Sequence, residues 1–180
     1  MNTMNIDGAS RHAAVLGTMA MFLYGLAGSA LAHEGDVSAA TATSQPPPSA
    51  AILQLEDVRQ ATARFFDVAQ AEAEGYVDIG VFFPNMGWHY LKPALLDGKF
   101  EATQPELLVY ADDPCGGPRR LVAVEYAVPL ELSKFAPAGF AGVSDVWTAN
   151  TAFQLWTLHA WVFEFNPDGV FAAYNPRVAQ

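Results

Sequence analysis

The feature that most constrains the fold is one helical stretch followed by strand-like runs with short connections. Apolar residues in the segment 52–74 recur at the spacing of an amphipathic helix, and Gly75 follows as a stop signal. From residue 76 onward, apolar runs alternate with turns rich in Gly, Pro and Asn. Parallel strands would need long crossover connections, usually helices. We therefore predict an α+β domain with one N-terminal helix packed on a curved, mainly antiparallel sheet or a partly open barrel.

The strand pattern predicts about five strands after the helix. The strongest candidate is RRLVAVEYAVP at residues 119–129, which is rich in valine and stops at a proline. Residues 151–165, TAFQLWTLHAWVFEF, predict one long strand, and residues 131–150 predict an excursion over the surface. NPDG at residues 166–169 is a turn signal, because proline presets its φ angle and glycine adopts a positive one.

Residues 1–32 have the pattern of a secretory signal peptide. Arg11 and His12 precede an apolar run, and the run ends in the small residues Ala30-Leu31-Ala32. An uncleaved membrane anchor is the alternative, because the run approaches the length that spans a bilayer. The glycines and the small-residue exit favour cleavage before His33. We therefore expect a protein exported to the periplasm or the cell exterior, with no stable membrane span after cleavage.

Residues 33–51, HEGDVSAATATSQPPPSAA, are small, polar and proline-rich. Three consecutive prolines favour extended geometry over packing. We predict a disordered tether over this range and a single α+β domain over residues 52–180.

Charge and cysteine content exclude some classes of function. The net charge is −10, with 19 acidic against 9 basic residues, whereas nucleic-acid binding requires clustered Lys and Arg. We expect no nucleic-acid partner. The only cysteine, Cys115, cannot form an internal disulfide, so the core must supply the stability. The sequence does not indicate an oligomeric state.

Three ionisable residues interrupt apolar strand candidates: His89, Glu125 and His159. Strand alternation places Glu125 on one face with Leu121, Ala123 and Ala127. An ionisable group on a core-facing surface is unfavourable unless a partner satisfies it. Two imidazoles and one carboxylate suit a divalent transition metal such as Zn, Cu or Fe, and they leave coordination positions open. We predict an interior site that binds a metal ion or a small polar ligand.

Four further residues are candidates for the lining of this site. Tyr90, Tyr126 and Trp161 are placed to act as hydrogen-bond donors or cavity walls beside the ligands. Asn166 precedes a proline, where it either points into the mouth of the site or simply caps a turn.

Other interpretations stay open at this point. His89 and His159 could be half-buried residues bonded to the backbone, with Glu125 paired to Arg119 or Arg177. The chain would then be a structural or interaction domain without a site. Alternatively, the aromatic-rich interior holds an apolar small molecule as a binding module. No G-x-S-x-G nucleophile motif occurs. If the chain is an enzyme, a metal-activated water or oxygen reaction is the natural class, with Glu125 as ligand or general base.

Six short motifs follow one another along the chain: MGWHY, KPALLDG, VEY, LHAW, NPDGVF and YNP. In these the chain resembles a family of small exported bacterial proteins that carry M-G-x-H-Y, V-E-Y, L-H-x-W and N-P-x-G motifs. The resemblance covers roughly residues 53–178, includes His89, Glu125 and His159, and implies a grouping without a specific activity. Family members often carry one cysteine before the Met-Gly pair and another at the C terminus. In this chain Phe83 and Gln180 occupy those two positions. If a disulfide between them ties the C-terminal tail in the family, this chain lacks it.

Overall fold

A computed structural model describes residues 49–141 and 145–178. The predicted signal peptide and most of the predicted tether lie outside these ranges. The first helix begins at Ser49, three residues before the predicted start of the domain at residue 52, and Ala51 is fully buried. Within the described ranges, none of the helices has the length and apolar character required to cross a bilayer.

The helical segment is interrupted. It consists of α1 (Ser49–Thr62), a 3₁₀ turn (Ala63–Phe66) and α2 (Val68–Ala73). Asp67 causes the break, because its backbone is extended and its side chain accepts a hydrogen bond from the backbone N–H of Ala69. This is the position and the bond of an N-cap residue, which starts a new helix.

Six strands follow and form one sheet. They are β1 (Val77–Phe83), β2 (Gly87–Leu91), β3 (Leu107–Ala111), β4 (Arg120–Pro129), β5 (Thr148–Asn150) and β6 (Leu155–Ala160). The order across the sheet is β1-β2-β3-β4-β6-β5, and each neighbouring pair is antiparallel. The sheet is not closed, since β1 and β5 form its two edges. The α+β prediction with an antiparallel sheet is confirmed.

The long strand predicted at residues 151–165 is wrong in its limits. Residues 151–154 form the turn between β5 and β6, where Gln154 adopts a φ of 58°. β6 stops at Ala160, and the backbone N–H of Trp161 then donates to the carbonyl of Val170 in the segment after the NPDG turn. Strand β5 lies within the predicted surface excursion.

One face of the sheet packs against the helices. The phenol of Tyr110 donates to the backbone carbonyl of Phe65, and the phenol of Tyr76 donates to that of Pro105. These bonds allow large polar aromatics to lie in the core. The buried residues of this cluster include Leu55, Val58, Phe65, Tyr90, Leu108, Tyr110, Leu121, Val124, Tyr126 and Leu158.

The opposite face carries a second buried cluster, and the C-terminal segment covers part of it. Val109, Ala123 and Trp161 pack there against Val178. The backbone N–H of Asn175 donates to the carbonyl of Asn85 at 2.8 Å, which holds the segment in place. The indole of Trp161 donates to the carbonyl of Ala172 at 2.6 Å.

A bulge in β4 changes one predicted face. Val109 pairs with Ala123, but the next residue, Tyr110, pairs with Leu121, so Val122 is an extra residue. The alternation therefore shifts by one. Leu121 packs in the helix-side cluster, and its predicted place on the same face as Glu125 is wrong.

Candidate metal centre

The sheet presents His89, Glu125 and His159 on the face away from the helices. Glu125 on β4 pairs directly with His159 on β6. His89 lies on β2 and pairs with Val109 of the intervening strand β3. Three steps separate β2 from β6, which corresponds to about 14 Å between backbones at the usual strand spacing. The two imidazole centroids are only 6.2 Å apart, so the rings lean toward each other across Glu125.

The three side chains converge on one point. His89 Nε2 lies 3.5 Å from Glu125 Oε2, and His159 Nε2 lies 3.7 Å from Glu125 Oε1. One ligand atom from each residue lies within 4.8 Å of the other two. The exposed fractions are 4% for His89, 6% for Glu125 and 5% for His159. The three residues can therefore hold a metal ion in the interior.

A bulge in β1 orients His89. Asp78 pairs with Tyr90 and Phe82 pairs with Trp88, so residues 79–81 lie opposite His89 alone. The carbonyl oxygen of Val81 lies 3.3 Å from His89 Nδ1. A carbonyl only accepts, so this bond requires the proton on Nδ1 and leaves the lone pair of Nε2 facing Glu125. Metal-binding histidines are commonly oriented in this way.

His159 is held by stacking. Its ring lies parallel to the indole of Trp161, with centroids 6.0 Å apart and planes at 12°. The rings of His159 and His89 are nearly perpendicular, at 87°. His159 Nε2 is fully buried and has no hydrogen-bond partner within the described part of the chain. Such an atom is uncommon in native proteins and requires an explanation.

Burial favours the neutral form of each of the three groups. Desolvation raises the pKa of Glu125 to about 8; the charge of Glu106 raises it further, and the Thr157 side chain opposes the shift by hydrogen bonding. Desolvation and then the neighbouring His89 lower the pKa of His159 to about 3. Desolvation also lowers the pKa of His89. A bound cation would offset this desolvation and favour the ionised carboxylate.

Of the four predicted lining residues, only Trp161 lies beside the three ligands. Tyr90 and Tyr126 lie in the helix-side cluster. The phenol of Tyr90 accepts a hydrogen bond from Arg119, and that of Tyr126 donates to the carbonyl of Ala102. Asn166 serves the turn, because its side chain donates to the carbonyl of Tyr174 and accepts from the backbone N–H of Asp168.

The two arginines considered as partners of Glu125 bind elsewhere. Arg119 contacts Asp78 and Asp112, and Arg177 contacts Glu164. The carboxylate of Glu125 instead contacts only the two histidines among the ion pairs of the described residues.

Sequence reasoning missed three residues that shape the site. Val81 acts through its backbone carbonyl, and only the nearby Gly80, whose φ is 68°, hints at the bulge. The side chain of Thr157 hydrogen-bonds the Glu125 carboxyl. Thr157 lies two residues before His159 in β6, a spacing that predicts the same strand face. Phe83 packs its ring edge-on against His89, with centroids 5.8 Å apart and planes at 83°.

Searches of protein-family models, curated proteins and solved structures find no match to this chain. The family resemblance described from the motifs therefore stays a prediction.

Proposed function

We propose that this is an exported protein whose interior site binds one divalent transition metal ion through His89, Glu125 and His159. The observation that carries the proposal is the buried Nε2 of His159, which has no hydrogen-bond partner in the described residues and faces a carboxylate. A metal ion is the ligand that satisfies a lone pair and a carboxylate at the same time. Export is supported by the charged start, apolar run and small-residue exit of residues 11–32.

The spacing of the ligand atoms suits an ion better than direct hydrogen bonds. Two ligands at Zn–ligand bond lengths and a tetrahedral angle lie about 3.4 Å apart. Each histidine Nε2 lies near that distance from one carboxyl oxygen of Glu125, His89 at 3.5 Å from Oε2 and His159 at 3.7 Å from Oε1, and one ligand atom per residue lies within 4.8 Å of the other two. A hydrogen bond between nitrogen and oxygen would instead be about 2.7 to 3.2 Å long.

The donor set indicates the class of metal. Imidazole nitrogens favour Zn, Cu or Fe over Ca and Mg, which prefer oxygen ligands. Two histidines and one carboxylate occur in catalytic zinc sites and in non-haem iron sites. In both classes three protein ligands leave at least one position for an exogenous ligand. A closed structural zinc site would need a fourth protein ligand.

The test is metal content after purification without a polyhistidine tag. We expect about one transition metal ion per chain in the wild type and background levels in His159→Ala and Glu125→Gln. Glu106→Gln is the matched control, because Glu106 is also a buried carboxylate but lies outside the three ligands. Background metal in the wild type after reloading, or equal content in wild type and His159→Ala, would contradict the proposal.

A further inference from the structure

We infer that the metal centre accepts only exogenous ligands about the size of water, a diatomic molecule or a linear triatomic anion, and that Phe83 closes the access to it. The inference rests on the proposed function, since it describes the open coordination position of the same metal. The ligands that fit are water, hydroxide, dioxygen and small anions. Sugars, peptides and aromatic compounds are excluded by their size.

The size limit follows from the burial of the ligand atoms. None of the three ligand residues is more than 6% exposed, and His159 Nε2 is fully buried. Leu107, Val109 and Ala123 lie on the same face of the sheet and are themselves buried. A substrate with the volume of a ring would have to displace this packing, and well-packed interiors resist such displacement.

Buried side chains and paired backbone surround most of the centre. Trp161 stacks on His159, and its indole is bonded to the C-terminal segment at Ala172. The same segment is bonded to Asn85 through the backbone of Asn175. Opening the site on this side would break these hydrogen bonds together.

Among the described aromatic side chains in ring contact with the ligands, Phe83 is the most exposed. It is the last residue of β1, its ring contacts His89, and it is 38% exposed. Its second aromatic neighbour, Phe153 in the turn between β5 and β6, is 43% exposed, with ring centroids 6.4 Å apart. The cover of His89 on this side is therefore a ring that is itself partly exposed to solvent. Rotation of a half-exposed side chain occurs far faster than unfolding, so small molecules can pass there.

The experiment uses full-length protein loaded with Co²⁺, whose visible spectrum reports the coordination of the ion. Cobalt content is measured first, and the spectrum is then titrated with azide and with benzoate. Both probes carry one negative charge and differ mainly in size. Phe83→Ala and the milder Phe83→Val are compared with Phe135→Ala, a control at an 80% exposed phenylalanine without a ring contact to the ligands.

We expect azide, but not benzoate, to change the spectrum of the wild type and of Phe135→Ala. In the Phe83 variants benzoate should bind at least about tenfold more tightly than in the wild type, with azide affinity changed by less than about threefold. Wild-type protein that binds benzoate as well as azide, or neither anion, would overturn the size limit. Unchanged benzoate affinity in folded Phe83 variants would overturn the role of Phe83. Protein that takes up no cobalt would instead contradict the proposed function, and the inference would fall with it.

Discussion

Glu125 and His159 face each other across the β4–β6 ladder, and their Oε1 and Nε2 atoms are 3.7 Å apart in the interior. Both groups are desolvated, so each lacks the interactions that water would provide. The pair is therefore unfavourable for folding unless a third group joins it. The proposed metal ion, bound by these two residues and His89, would offset that cost and would make the site contribute to stability as well as to binding.

Removal of the metal should lower the thermal stability of the wild type. A ligand that binds only the folded state at about one hundred times its Kd adds about 2.7 kcal/mol to the free energy of unfolding. We expect a chelator to lower the Tm of the wild type and to leave the Tm of His159→Ala unchanged, as measured by calorimetry. An equal Tm decrease in both proteins would show that the chelator acts elsewhere.

Substitution of Gly80 by alanine should weaken metal binding through His89. Gly80 adopts a φ of 68° in the β1 bulge, where an added side chain is strained by about 1 kcal/mol or more. Relaxation of the bulge would move the Val81 carbonyl away from His89 Nδ1, and loss of such a partner lowers metal affinity by about 10- to 100-fold. The measurement is a competition titration with a metal indicator.

Gly116→Ala is the matched control for Gly80→Ala. Gly116 has a similar φ of 78° and open space around its Cβ position, but it lies in an exposed loop. Both variants should lose similar stability, and only Gly80→Ala should lose metal affinity. Equal metal affinities in the two variants would show that the β1 bulge does not orient His89.

Glu106 should make the metal-free protein less stable as the pH rises. Its carboxyl is buried and accepts a hydrogen bond from the backbone N–H of Ala127, and desolvation raises its pKa to about 8. The folded state therefore holds this proton more tightly than the unfolded state. Between the ordinary pKa of a glutamate and about 8, a rise in pH lowers the free energy of unfolding. Below that window Glu106 is protonated in both states, so it does not change the free energy of unfolding with pH.

Urea unfolding of metal-free protein at several pH values tests the role of Glu106. Glu106→Gln keeps an acceptor for Ala127 and should flatten the decrease between about pH 5 and pH 8. Glu131→Gln, at an exposed position whose charge does not contribute to the pKa shift of Glu106, should retain the wild-type pH dependence. If Glu106→Gln keeps the wild-type dependence of the free energy of unfolding on pH, other groups cause that dependence, and Glu125 is the first candidate.

Expression in a bacterium with an intact secretory pathway should yield a mature chain that begins at His33. Signal peptidases require small residues before the cleaved bond, and Ala30 and Ala32 supply them. Replacement of Ala32 by arginine should leave the precursor uncleaved. Mass spectrometry of the product distinguishes the two results, and an unprocessed wild-type chain would favour the anchor interpretation.

Much of the architecture was predictable from local patterns. The sequence indicates no crossover helix between the strand candidates, so the antiparallel sheet was predictable from the chain alone. Helical spacing predicts that Leu55, Val58, Phe65 and Val68 face the core; the first three are buried and Val68 is half-buried. The break at Asp67 and the division of residues 148–160 into β5 and β6 were not predicted, because a capping bond and a positive φ at Gln154 override apolar periodicity.

The sequence by itself determined that His89, Glu125 and His159 interrupt apolar strands, because alternation shows which side chains share a surface with apolar neighbours. Only the tertiary structure decided that they meet. Strand order places Glu125 opposite His159, and the rings lean together across strands whose pairing is not encoded locally. Strand alternation alone puts Tyr90 and Tyr126 on the face opposite their neighbours His89 and Glu125, whereas long-range pairing put Val81 and Phe83 around His89. Strand register and bulges depend on the packing of the whole sheet, and a single strand does not contain that information.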